Sequence, residues 1–202
     1  MTNLPSPANL PAPTPQIAKS PLQLELSAHR QAIASSPNRV FIDGDRVLIG
    51  LTRGLVAVCD ARHFEAVQAH KWRAISCGSK VYAGRTVRCG DQRTALLLHR
   101  FLLGSEADGL LVDHRDGDGM NNTDDNLRAC SHAQNMWNQP AFKSSKTGIK
   151  GVRASKDGKA FVVRLMVNGV SHHGGTFKTI AEAKAAHEAL ATKLQGEFAY
   201  NG

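Results

Sequence analysis

A carboxylate and an imidazole stand side by side at Asp113-His114, and two amides follow at Asn126 and Asn135. The sequence between them constrains the local fold. A short apolar strand is predicted to lead into Asp113, a loop rich in Asp, Gly and Asn follows, and a second brief strand is predicted from Asn126 to Cys130. Ser131 can then cap a helix that carries Asn135. Strand, loop, strand and helix form the smallest frame that brings these four side chains together.

This combination of residue types suits metal-assisted chemistry. A carboxylate and an amide oxygen can hold Mg²⁺ while leaving most of its coordination sphere to water and phosphate. A neighbouring imidazole titrates near neutral pH and can deprotonate an attacking water. A plain solvated connector remains the alternative, because Asp and Asn are common in turns. A calcium loop starting at Asp116 is disfavoured, since Met120 takes its fifth position and Leu127 the place of a bidentate Glu.

The charge distribution favours a polyanionic partner. The chain has 202 residues, with 25 Lys and Arg against 17 Asp and Glu, a net charge of +8. Residues 1–142 hold 15 basic and 13 acidic side chains, whereas residues 143–202 hold 10 basic and 4 acidic ones. The last third is therefore the better candidate for contacting a phosphate backbone. A basic surface that serves solubility alone is the alternative.

The cysteines and the hydropathy pattern indicate the compartment. Cys59, Cys77, Cys89 and Cys130 lie far apart and form no C-x-x-C pair, which disfavours a zinc site or a disulfide framework. No apolar stretch approaches membrane-spanning length, and the N-terminus shows no basic region followed by an apolar one. We expect free thiols, a cytoplasmic protein and no membrane partner.

Composition and turn residues predict an α+β chain in four parts. Residues 1–38 are rich in proline and predict a disordered tail. Residues 39–140 show a small β-rich segment followed by the strand–loop–strand–helix frame, and residues 141–150 form a basic linker. Residues 151–202 predict a three-stranded antiparallel sheet, turned at Asp157-Gly158 and Asn168-Gly169 and packed on one helix. A capping box from Thr179 to Glu182 opens that helix.

Further turn patterns give element bounds within the β-rich segment. Asp43-Gly44-Asp45 predicts a hairpin between strands at 40–42 and 46–50. Asp60 is expected to cap a short helix that runs to His70. Strands are predicted at 72–76, 81–85 and 93–98, and Trp72 is expected in the core.

Alternation along the strand at 161–167 predicts one apolar and one open face. Val163 and Leu165 would pack beneath the helix, with Ile180 and Ala183 facing them. Arg153, Arg164 and His173 would lie on the open face, and such a basic face can enter the major groove of DNA. An ordinary half-solvated sheet is the alternative.

The motifs in residues 45–138 resemble the HNH endonucleases of phage and intron homing elements. The matching positions are Leu98-His99-Arg100, Val112-Asp113-His114, Gly117, Asn122, Asn126-Leu127-Arg128 and Asn135. The resemblance implies a ββα-metal fold.

Roles in the site follow from that resemblance. It implies Asp113 and Asn135 as ligands of Mg²⁺ or Mn²⁺ and His114 as the general base. Asn126 would orient the His114 ring and steady the loop. His132 is a rival ligand close to Asn135. A structural or backbone-contacting role is expected for His99.

Residues 147–201 resemble the plant-type APETALA-two/ethylene-response-factor DNA-binding domain. The resemblance is carried by Gly151-Val152-Arg153, Gly175-Thr176-Phe177, residues 181–191 and Gly196-Glu197-Phe198-Ala199. It implies that Arg153, Arg164 and His173 lie at DNA-facing positions of the sheet, although several neighbouring positions depart from the family pattern. Phosphate contacts are expected from Lys143, Lys146, Lys150, Lys156, Lys159 and Lys178.

Together these resemblances imply a metal-dependent endonuclease of the homing type that nicks double-stranded DNA as a monomer in a bacterial or phage-infected cell. No obligate protein partner is evident. The alternative is a DNA-binding or transcription-regulating protein whose nuclease frame does not cut. A binding module held together by zinc is a weaker alternative, because the cysteines are scattered along the sequence.

Overall fold

The computed structural model of the chain describes Ile33 and residues 38–200. The predicted tail, residues 1–38, therefore lies outside the described part except at its end. Ile33 is buried in a small apolar cluster with Leu48, Val56 and Val58. This isoleucine belongs to the packed structure rather than to a solvated tail.

The first sheet is an antiparallel meander of β1 (Val40–Asp43), β2 (Arg46–Gly50) and β3 (Val56–Asp60). The predicted hairpin between β1 and β2 is confirmed, with Gly44 at a φ of 61° in its turn. Residues from β2 and β3 form the centre of the main core, and Trp72 joins them at 1% exposure. Its indole nitrogen donates to the carbonyl of Val67 at 2.9 Å, which satisfies the one polar atom of a buried ring.

A second antiparallel sheet follows, in the order β4 (Arg73–Cys77), β5 (Lys80–Cys89) and β6 (Gln92–Leu97). Between the two sheets lie a 3-10 turn (Ala61–His63) and the short helix α1 (Phe64–Gln68), and α2 (Leu98–Leu103) follows β6. The prediction that Asp60 caps a helix is wrong. No side-chain cap forms there, and its carboxylate accepts from the amide of Asp124 at 2.6 Å instead.

The predicted strand–loop–strand–helix frame is present. It consists of β7 (Leu111–His114), β8 (Leu127–Cys130) and α3 (His132–Trp137). Ser131 caps α3 in a capping box with Gln134, which explains why the helix starts there. The loop between the strands is anchored on β3, because Val58 donates to Met120 at 2.9 Å and accepts from Asn122 at 2.7 Å.

The C-terminal part contains an antiparallel sheet in the order β11 (Val170–Phe177), β10 (Phe161–Val167) and β9 (Val152–Ala154). Helix α4 (Ile180–Gln195) opens with the predicted capping box and packs on this sheet, and a 3-10 turn (Gly196–Phe198) follows. Val163 and Ala183 are fully buried in the layer between them, whereas Ile180, predicted to face inward, is 40% exposed.

None of the four cysteines, which all lie in the described part of the chain, forms a disulfide in the structure; Cys59 and Cys130 are buried, and Cys77 and Cys89 are exposed. Across Ile33 and residues 38–200, no helix is long and apolar enough to cross a membrane.

Candidate active site

The end of β7 carries Asp113 and His114 into the interior, at 4% and 5% exposure. Asp113 pairs with Arg128 of β8 in the strand register, and His114 pairs with Leu127. Asn135 lies on α3, which packs against β7. These elements border a cleft of about 320 Å³ whose lining includes the three sequence-predicted residues Asp113, His114 and Asn135.

Two side chains to which the sequence analysis assigned no role hold the Asp113 carboxylate. Arg128 donates to its Oδ2 from Nε at 2.9 Å and from Nη2 at 2.7 Å. Asn138 donates from Nδ2 to Oδ1 at 3.1 Å and to Oδ2 at 2.9 Å. Spacing could have indicated both: Arg128 lies opposite Asp113 in the predicted strand pair, and Asn138 follows Asn135 by one helical turn.

The His114 ring has a defined tautomer. Asn122 is fully buried, and its Nδ2 donates to the Met120 carbonyl at 3.0 Å, which turns its Oδ1 toward His114 Nε2 at 3.4 Å. An amide oxygen only accepts, so the contact assigns the proton to Nε2 and leaves the lone pair on Nδ1. Tyr82 and His99 pack against the ring, with centroid separations of 5.8 and 5.0 Å.

Both buried histidines favour the neutral form. Burial lowers the pKa of His114, although its contact with Asn122 and the nearby carboxylates of Asp116 and Asp113 oppose this shift. Burial also lowers the pKa of His99, to about 3. At neutral pH His114 is therefore uncharged and can accept a proton.

Asn126 does not contact the imidazole in the way that the family resemblance implied. Its Oδ1 accepts from the Asp116 amide at 3.1 Å, and its Nδ2 donates to Asp116 Oδ1 at 3.0 Å and to the Asn121 carbonyl at 2.7 Å. The amide is used up inside the loop, so Asn122 contacts the ring in its place. The placement of Asn126 agrees with the other half of the expectation, that it steadies the loop.

The donor set of the cleft fits a hard divalent cation. Asp113 Oδ2 receives both bonds from Arg128, whereas Oδ1 has Asn138 as its one hydrogen-bond partner within residues 38–200 and keeps an acceptor direction free. Asn135 adds an amide oxygen in the same cleft. Mg²⁺ needs few protein ligands of this kind. The rival ligand His132 is exposed at the start of α3 and is not part of the lining described for the cleft.

A second group of potential metal ligands lies where the loop meets β3. Asp60, His63 and Asp124 offer ligand atoms within 4.8 Å of one another. Asp124 already pairs with Arg62 at 2.7 Å and with His63 at 2.8 Å. Burial alone would raise the pKa of Asp124, but its hydrogen bonds from Arg62 and His63 outweigh this and lower it to about 2. The group therefore fixes the loop through contacts that need no ion.

The residues expected to contact DNA have two different placements. Arg153, Arg164 and His173 are exposed, and cross-strand pairing sets Arg164 beside His173 on the outer side of β10. Lys146 and Lys159 are also exposed.

Lys150 is different, because its ammonium donates to the carbonyls of Met136, Trp137 and Gln139 at 2.5, 2.9 and 2.9 Å. Burial lowers its pKa. All three donors are used at the end of α3, so the expectation of a phosphate contact is corrected for Lys150.

Two known proteins are similar to this chain. An uncharacterised HNH endonuclease of Acanthamoeba polyphaga mimivirus is 31% identical over 159 residues, which cover 75% of this chain and 77% of that protein. Protein 3.8 of Escherichia phage T7 is 31% identical over 91 residues, which cover 45% of this chain and 74% of that protein. Neither a family model nor a solved structure matches the chain.

Proposed function

This chain belongs to the HNH endonuclease family, and from that premise we propose that it is a divalent-metal-dependent DNA endonuclease of the homing type that nicks one strand of double-stranded DNA. The observation that carries the proposal is the cleft shared by Asp113, His114 and Asn135. Burial holds His114 in its neutral form there. A single such site cuts one strand. Cleavage of both strands would need two copies of the chain.

His114 is the general base of the proposed reaction. Its Nδ1 takes a proton from the attacking water, while Nε2 keeps its proton toward Asn122. Correctly placed proton transfer of this kind contributes ~10² to 10⁴ in rate. Asn122 and the rings of Tyr82 and His99 hold the imidazole, so that little reorganisation accompanies proton transfer.

Asp113 and Asn135 are the proposed holders of Mg²⁺ or Mn²⁺. The cation would supply charge neutralisation at the scissile phosphate and assistance to the departing 3′ oxygen. Arg128 orients the carboxylate of Asp113 through two hydrogen bonds to Oδ2, and Asn138 donates to both carboxylate oxygens.

The C-terminal sheet and α4 are proposed as the targeting domain, of the APETALA-two/ethylene-response-factor type that residues 147–201 resemble. The exposed Arg153, Arg164 and His173 would face the bases, since arginine pairs with guanine edges in the major groove. Phosphate contacts would come from the exposed lysines of this region: Lys143, Lys146, Lys156, Lys159 and Lys178.

The test is incubation of supercoiled plasmid with the full chain and Mg²⁺, beside Asp113→Ala and His114→Ala. We expect open-circle product from the wild type, loss of product in both variants, and retained DNA binding in all three proteins. Equal binding with no cutting by any of them, across several DNAs with plausible sites, would instead favour the non-cleaving DNA-binding regulator.

A further inference from the structure

Arg128 joins the candidate active site to the C-terminal part of the chain. The side chain is 7% exposed and belongs to β8, yet it also contacts Glu197 and Phe198, about 70 residues away in sequence. Its Nη1 donates to the backbone carbonyl of Glu197 at 2.5 Å. The guanidinium carbon lies 3.9 Å from the ring centroid of Phe198, within the range of a cation–π contact. Its other two donor groups, Nε and Nη2, bind Asp113 Oδ2.

The position of the Glu197-Phe198 segment is set by the C-terminal core. Phe198 is 8% exposed, and the next residue, Ala199, is buried in a cluster with Leu165 of β10 and Ala191 of α4. The main-chain contact from Glu197 and the ring of Phe198 therefore follow the position of the sheet and helix. The exposed ion pair between Glu197 and Arg115 adds little to this junction.

A second contact across the same junction acts on α3. Lys150, at the start of the C-terminal part, donates to carbonyls at the end of α3 and just beyond it, on either side of Asn138. The two segments that hold the carboxylate, β8 through Arg128 and the C-terminal end of α3 through Asn138, are thus fixed by contacts with residues beyond 149.

We propose that Arg128 is a positioning residue through which the C-terminal domain sets the orientation of Asp113. The inference rests on the proposed function, in which Asp113 holds the metal. Arg128 covers Oδ2 with two donors and thereby directs Oδ1 toward the cleft. A planar guanidinium can do this only while it is fixed on its opposite side, and the Glu197 carbonyl and the Phe198 ring supply that support. The domain that grips DNA is then also part of the metal site.

The test uses two substitutions that keep the positive charge at position 128. Arg128→Lys removes the fork of donors, and Phe198→Leu keeps apolar bulk while removing the ring beneath the guanidinium. Phe161→Leu is the matched control, because Phe161 packs in the same domain against Val163 and Ala183, away from Arg128. Binding of Mn²⁺ to the full chain without DNA is measured by electron paramagnetic resonance.

We expect Mn²⁺ affinity to fall about tenfold in Arg128→Lys, as for other groups that orient a metal ligand, and at least threefold in Phe198→Leu. Phe161→Leu should lower thermal stability and leave Mn²⁺ affinity within about twofold. With Mg²⁺ and saturating DNA, the single-turnover nicking rate should fall in Arg128→Lys and Phe198→Leu while the DNA dissociation constant stays within about twofold. If one variant does not fold, the other carries the test.

The possible failures are distinguishable. If Asp113→Ala binds Mn²⁺ as tightly as the wild type, the proposed metal site is wrong, and the positioning role of Arg128 is wrong as well. If Asp113→Ala loses Mn²⁺ but Arg128→Lys and Phe198→Leu, once folded, match the wild type in affinity and rate, the proposed function stands and the role of Arg128 is refuted. Equal loss of Mn²⁺ affinity in Phe161→Leu would also refute it, because general destabilisation would then explain the effect.

Discussion

Three ionisable side chains at or near the cleft, Asp113, His114 and His99, are buried, and their surroundings differ. Arg128 and Asn138 donate hydrogen bonds to Asp113, whereas His114 and His99 stay neutral because burial disfavours the imidazolium. A neutral His114 beside the oxygen ligands of Asp113 is the combination that base catalysis with a bound cation requires.

The burial of His99 lowers the free energy of unfolding at acidic pH. Its folded pKa of about 3 lies below the value of 6.5 for an exposed imidazole, so between these values the unfolded chain binds the extra proton. Stability is retained above pH 6.5 and falls as pH decreases, by about 1.4 kcal/mol per pH unit for this one group. His99→Phe keeps the aromatic packing and removes the proton site. Urea unfolding measures the free energy of unfolding at pH 7 and at pH 5. Between these two values, the wild type should lose about 2 kcal/mol more than the variant. Equal losses would contradict the low pKa of His99.

Replacing Asn126 by alanine should lower stability, whereas replacing Asn135 by alanine should lower activity. Asn126→Ala removes the hydrogen bonds that a buried amide makes to Asp116 and Asn121, and we expect a loss of about 1–3 kcal/mol in the free energy of unfolding. Asn135 is partly exposed in the cleft, so Asn135→Ala should leave unfolding nearly unchanged and reduce Mg²⁺-dependent nicking at least tenfold. Unfolding and nicking measured on both proteins check this, and full nicking by Asn135→Ala would remove it from the metal site.

Among the secondary-structure elements, those marked by turns and caps were predictable from sequence. The hairpin at Gly44, the frame of β7, β8 and α3, and helix α4 with its capping box all lie where residue patterns indicated. Strand β3 was missed because Val56–Cys59 is a continuous buried run without alternation. The contacts of Lys150 with the end of α3, and those of Arg128 with Glu197 and Phe198, were missed because each side chain reaches beyond its own element.

Lys150 should behave as a helix cap rather than as a phosphate contact. Lys150→Met leaves three carbonyls at the end of α3 without their donor, and we expect a loss of about 1 kcal/mol in unfolding free energy. The salt dependence of DNA affinity should not change. Lys146→Met is the comparison, since Lys146 is exposed and its loss should reduce the logarithmic salt slope by about 0.9. A reduced slope in Lys150→Met would contradict the structural placement.

Across the entire chain, most of the excess positive charge lies beyond residue 142, in the part of the sequence that forms the C-terminal sheet and α4. Five exposed lysines in phosphate contact would give a slope of log affinity against log salt of about −4.5. Fluorescence anisotropy with duplex DNA at salt concentrations from about 50 to 200 mM measures this slope. A slope near zero would contradict the proposed phosphate contacts.

Removing residues 140–202 is expected to affect more than DNA binding. A chain truncated after Gln139 loses the support of Arg128 together with the cap on α3, so it should bind DNA more weakly and with less salt sensitivity and also lose affinity for Mn²⁺. That second loss could not be predicted from sequence, which gave the two parts separate roles without showing that their side chains meet.

The most direct test of the proposed chemistry is the single-turnover nicking rate of His114→Ala, with saturating Mg²⁺ and DNA, beside the wild type. We predict a rate at least ~10² lower at equal DNA occupancy, partly restored by added imidazole that can enter the cleft. A rate within about threefold of the wild type would contradict the assignment of His114 as the base.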